Sequence, residues 1–109
     1  DEFAVLMPGT GRFAAVVDPA AVFRGKPEPE TFERAAHALG LLTDECVGIE
    51  DAAAGVAAVV GAGMAAVGVG DAATLRAAHL VVPGTAALTL DRLREAHATA
   101  FGVPLRDRR

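Results

Sequence analysis

Glu50 and Asp51 stand side by side in "CVGIEDAAAGVAAVVGAG", residues 46–63, with no other charge in that stretch. Two adjacent carboxylates offer oxygen ligands to a hard cation, and Mg²⁺ is commonly held by one or two carboxylates completed by phosphate and water. Lys26, the one lysine of the chain, lies in the loop "GKPEPE". An ammonium there can neutralise phosphate oxygens and the charge that develops during transfer. The three side chains together make half of a phosphoryl-transfer site. Each also has a plainer reading. An Asp ahead of a helix is commonly its N-cap, a Glu there complements the positive end of the helix dipole, and a loop lysine is commonly a solvated charge. Spacing alone favours the plainer set.

The elements that must position these residues follow from pattern. "FAAVV" (13–17) reads as a short buried strand stopped by Asp18-Pro19, because Pro19 cannot donate to a ladder. Pro29 suits the first turn of a helix. Phe32, Ala35, Ala36 and Leu39 then fall at i, i+3, i+4 and i+7, one apolar face, and Gly40 suits a left-handed C-terminal cap. "CVGI" (46–49) is a continuous apolar run, which suggests a strand buried on both faces. Asp51 is the expected N-cap of a helix over 52–62, with Val56, Val59 and Val60 on one side and Gly63 ending it. "MAAVGVG" and "HLVV" are further strands, separated by a helical turn over 74–78. "TLDRLREAHA" is a last helix capped by Thr89, with Leu90 and Leu93 as its apolar stripe. Strand and helix alternate, which predicts an α/β fold with a parallel sheet. Residues 1–12, "DEFAVLMPGTGR", do not fit the alternation and receive no element. In open parallel sheets ligands gather at the carboxyl ends of strands, where Glu50 and Asp51 stand and where the Lys26 loop can join them.

Composition narrows the classes. The chain has 109 residues, a formal charge of −4 and 52% hydrophobic residues dominated by alanine. That length is one domain or part of one, and the acidic balance with a pI near 5.2 argues against a nucleic-acid face. No apolar run is long enough for a membrane span. Cys46 is the only cysteine, so no intrachain disulfide forms and a reducing, cytoplasmic compartment is expected. Within an apolar strand Cys46 is read as packed rather than reactive. His37, His79 and His97 share no metal-ligand spacing. His37 belongs on the polar side of its helix and His79 on the surface.

The run from "FAAVVDPAAVFRGKPEPETF" through "VGIEDAAAGVAAVVGAGMAAVGVG" resembles the haloacid dehalogenase-like superfamily, and within it the β-phosphoglucomutase branch, over about residues 13–95. "GKPEPETF" is similar to that family's third motif, and "VGIEDAAAGV" to its fourth. The resemblance implies a Rossmann-like core in which Lys26 binds phosphate and balances the nucleophile's charge, while Glu50 and Asp51 ligate Mg²⁺. It implies Mg²⁺-dependent transfer on a phosphorylated sugar through an aspartyl phosphate, with a phosphatase acting on another small phosphate ester as the alternative.

The resemblance also marks what this sequence lacks. It contains no Asp-x-Asp, the family's nucleophile and acid/base pair, and neither the cap domain nor the second motif is present. Asp18 matches the family's "VDP" loop and receives no nucleophilic role. The expectation is the C-terminal part of a core domain over 13–98, an unassigned segment 1–12 and a solvated tail 99–109. Without the central strands that separate "FAAVV" from "CVGI" in the family, those two strands would lack neighbours. A complementing chain or self-association is then expected, and a non-catalytic fragment is the reading of a different class.

Overall fold

The computed structural model describes residues 3–6, 13–17, 28–38 and 40–102. The elements in chain order are β1 (Phe3–Leu6), β2 (Phe13–Val17), α1 (Pro29–Ala38), β3 (Val47–Glu50), α2 (Ala53–Gly61), β4 (Ala65–Val69), β5 (Leu80–Val82) and α3 (Leu90–Phe101). Short 3₁₀ turns at Thr43–Glu45 and Thr85–Ala87 join them. Among the described residues no helix is long and apolar enough to cross a membrane.

The sheet order is β2-β1-β3-β4-β5. β3, β4 and β5 are parallel, with Val47 opposite Ala65 and Val67 opposite Leu80. β1 runs antiparallel to both β2 and β3, so β2 shares the direction of the parallel set. This corrects the expectation that "FAAVV" and "CVGI" stand without neighbours. The unassigned first residues contain the strand that lies between them, and its backbone groups pair on both sides.

Helices cover both faces. Phe32, Ala35 and Ala36 of α1 pack with Val56, Ala58 and Val59 of α2 over Cys46 and Ala66. Leu93 and Ala96 of α3 pack on the opposite face against Val47, Ile49, Ala65, Val67 and Val82. The pleat, with its period of two, divides each central strand between these cores. Helix α2 comes unusually near the sheet because Gly48 has no side chain: a Cβ there would stand 2.7 Å from a γ-methyl of Val59.

Local signals placed most boundaries. α1 starts at Pro29 and ends at Ala38, and Gly40 just beyond it, with a φ of +71° and an amide that donates to His37 O, closes the turn. Leu39 lies outside the described residues. Thr89 caps α3, its hydroxyl accepting the Arg92 amide at 3.2 Å. Val60 is 40% exposed rather than packed, because the buried arc of α2 centres on Gly55 and Val59 and Val60 falls just beyond it. Asp51 does not cap α2; the cap position is Ala52, which has no side-chain acceptor. Leaving β3, the chain takes one more extended residue before the helix begins.

Candidate functional site

A cleft of about 450 Å³ opens at the carboxyl ends of the parallel strands, lined by Ile49, Glu50, Asp51, Val69, Gly84 and Thr85. Every strand of the parallel set contributes: β3 through Ile49 and Glu50, β4 through Val69, and β5 through the turn that follows it. This is where a parallel α/β sheet gathers ligands, since each strand there hands over to a loop that is free of ladder bonds.

The two acids are neighbours with unlike surroundings. Asp51 lies past the end of β3 and is exposed to solvent at the cleft. Glu50 is the last residue of β3, on the same face as Cys46 and Gly48, and is only 3% exposed. That parity carries its side chain beneath the first turn of α2. Gly55 makes the room: a Cβ built there would overlap the Glu50 carboxylate and stand 2.7 Å from Glu50 Cγ. Glu50 Oε2 is buried with no hydrogen-bond partner among the described residues.

Burial pushes the Glu50 carboxyl up to about 7. The Asp51 charge adds to that rise, and the Asp51 backbone amide opposes it. A buried carboxylate with one unpartnered oxygen, next to a second negative charge, is an environment that a cation would relieve. The donor set is all oxygen, which suits a hard divalent ion. The residues therefore fit Mg²⁺, with Asp51 exposed to hold it and Glu50 behind. Among the described residues no group of three His, Cys, Asp or Glu converges on a metal position. The remaining ligands would be water and phosphate oxygens, or groups outside the described residues.

Lys26 lies outside the described residues, so its relation to the acids rests on sequence. Several residues that shape the site escaped sequence reasoning. Gly84 and Thr85 follow β5, and only the sheet brings them opposite Asp51. Gly55 reads in sequence as one more small residue of an alanine-rich helix. A glycine at the third helical position, where propensity favours alanine, was the available signal.

Cys46, His79 and His97 are held in structural surroundings. Cys46 is buried, its thiol 3.5 Å from Leu42 O, and burial followed by the charges of Glu45 and Asp44 pushes it up to about 12. His37 is exposed on α1, as expected. His79 is half-buried rather than on the surface: its Nδ1 accepts the Ala66 amide at 2.9 Å, tying the approach to β5 onto β4. His97 is fully buried, with Nε2 2.7 Å from Asp44 O and its ring 4.8 Å from that of Phe101.

The family described as haloacid dehalogenase-like hydrolase matches residues 2–63. β-Phosphoglucomutase of Bacillus subtilis (strain 168) is 47% identical over 83 residues, covering 76% of this chain and 37% of that protein. Hexitol phosphatase A of Escherichia coli (strain K12) is 52% identical over 42 residues, 38% of this chain and 19% of that protein. A crystal structure of β-phosphoglucomutase from Clostridium difficile aligns with a TM-score of 0.67 at 38% identity, covering 73% of this chain and 36% of its own. The chain thus spans little more than a third of the length of the β-phosphoglucomutases it matches.

Proposed function

From the premise that this chain belongs to the haloacid dehalogenase-like hydrolase family, we propose that it serves Mg²⁺-dependent phosphoryl transfer on a phosphorylated sugar, of the β-phosphoglucomutase kind. In this reading residues 13–98, joined by the strand Phe3–Leu6 and by the end of α3 at Phe101, are the C-terminal part of the core domain, and they work in a reducing cytoplasm. The chain itself holds no Asp-x-Asp, so the nucleophile comes from elsewhere in a longer protein or from a second polypeptide.

The observation that carries the reading is Asp51. It stands exposed at the cleft and caps no helix, which removes the plainest structural reason for an acid at that position. Asp51 would ligate the cation, and Glu50 would hold the second acidic position behind it. Lys26 would pair with the phosphate. The cation, when bound, would neutralise phosphate oxygens and orient the group being transferred. Ile49 and Val69 wall the cleft with aliphatic surface, which limits water around the charges and strengthens their interaction.

A phosphatase that passes the phosphoryl group to water is the second reading, supported by the stretch similar to hexitol phosphatase A. Titrating the ¹⁵N-labelled chain with Mn²⁺ as a paramagnetic probe tests the shared core of both. Broadening is expected to centre on residues 50 and 51 and to disappear in Asp51→Asn. Broadening centred elsewhere, or unaltered by that substitution, would overturn the site. Sugar-phosphate turnover by this chain alone would overturn the statement that its nucleophile comes from elsewhere.

A further inference from the structure

We propose that Gly55 is a positioning residue of this site, whose missing side chain lets the Glu50 carboxylate sit beneath α2 and thereby fixes Asp51 at the cleft. The inference rests on the metal-site reading above for its function and on independent geometry for its mechanism. A methyl group at position 55 would occupy the space of the Glu50 carboxylate, so the two cannot coexist without a rearrangement. Withdrawing α2 from the sheet would break the packing of Val59 on Gly48 one turn later. The carboxylate is the end of a flexible side chain, so it is the group that gives way.

Expulsion of the carboxylate reaches Asp51 through the peptide that joins the two residues. The two residues share the peptide between β3 and the Ala52 cap, and the Asp51 amide favours the charged form of the Glu50 carboxylate. The 97% burial of Glu50, complementary to its 3% exposure, leaves its Oε2 without a hydrogen-bond partner among the described residues. A buried polar atom without a partner calls for an explanation, and an ion or its bound water at this position supplies one. Glu50 is held in reserve behind Asp51, able to receive a hydrogen bond from water on a cation or to face the cation itself. Groups placed behind a metal ligand commonly change metal affinity ten- to a hundredfold when removed.

The helix itself gives the opposite expectation. Alanine is the better helix former, so Gly55→Ala would be favourable if position 55 only had to be helical. Four full-length chains separate the two: the unaltered chain, Gly55→Ala, Glu50→Ala, and the double variant. Amide hydrogen exchange at Asp51 is the first readout and Mn²⁺ affinity the second. Gly55→Ala is expected to accelerate Asp51 exchange tenfold or more and to weaken Mn²⁺ by at least tenfold. In the Glu50→Ala background the same change should alter neither, because the carboxylate it displaces is already gone.

Unchanged Asp51 exchange in Gly55→Ala, or effects of the two substitutions that multiply, would overturn the proposal. Where Gly55→Ala does not fold, folding of the double variant supports it. Failure of the double variant while Glu50→Ala folds overturns it. If the unaltered chain binds no Mn²⁺, the metal-site reading falls, and Asp51 exchange alone decides the role of Gly55.

Discussion

Val59 rests both γ-methyl groups on the backbone of Gly48, where a Cβ would lie 2.7 and 2.8 Å away. Val59 is fully buried and β-branched, so it has no rotamer into which it can withdraw. Gly48→Ala should therefore destabilise the chain by about 1–3 kcal/mol through overpacking. Combining it with Val59→Ala opens the space, and the double variant should lose less than the sum of the single losses. Urea unfolding of the four chains measures this; additive losses would show that α2 shifts freely over the sheet.

Asp51→Ala should leave stability within about 0.5 kcal/mol of the unaltered chain, as expected of an exposed side chain. Loss of a working N-cap would instead cost about 1 kcal/mol. Thermal unfolding without metal distinguishes the two, and a marked loss would return Asp51 to a capping role.

His79 makes stability depend on pH. Burial holds its imidazole below the ordinary value of 6.5, and the neutral ring accepts the Ala66 amide through Nδ1. The unfolded chain therefore binds the proton more tightly. The contribution of His79 is fully present above about 6.5 and is lost as pH falls through its folded pKa. Glu50 acts in the opposite sense: its folded pKa of about 7 lies above its ordinary 4.5, so its contribution is lost as pH rises through about 7. Comparison with His79→Gln at each pH isolates the histidine. The stability difference between the two chains should shrink on acidification from pH 7.5 to pH 5, and a constant difference would contradict the assignment.

Cys46 should be inert while the chain is folded. Its thiol is buried and pushed up to about 12, so almost no thiolate exists at pH 8, and the thiolate is the nucleophile. A disulfide reagent such as dithiobisnitrobenzoate should react only after denaturant is added. Prompt reaction of the native chain would mean that the strand end beneath α1 opens readily.

Where an element depends on its own residues, the sequence by itself determined it. The start of α1 at Pro29, its close at Gly40, the Thr89 cap of α3 and the buried set Phe32, Ala35 and Ala36 were all readable. Helical period and end chemistry act within a few residues, so they are written locally. The family resemblance was likewise carried by contiguous motifs. Only the tertiary structure decided the place of Phe3–Leu6 between β2 and β3, because a strand's partners lie elsewhere in the chain and its pairing bonds are identical for every residue type. It also decided that two adjacent acids have different surroundings. The pleat sends Glu50 under α2 into space that Gly55 leaves open, while Asp51 steps out of the strand to the cleft that Thr85 reaches from β5. Both outcomes depend on how closely a helix approaches a sheet, a distance set by packing between segments that no local pattern records.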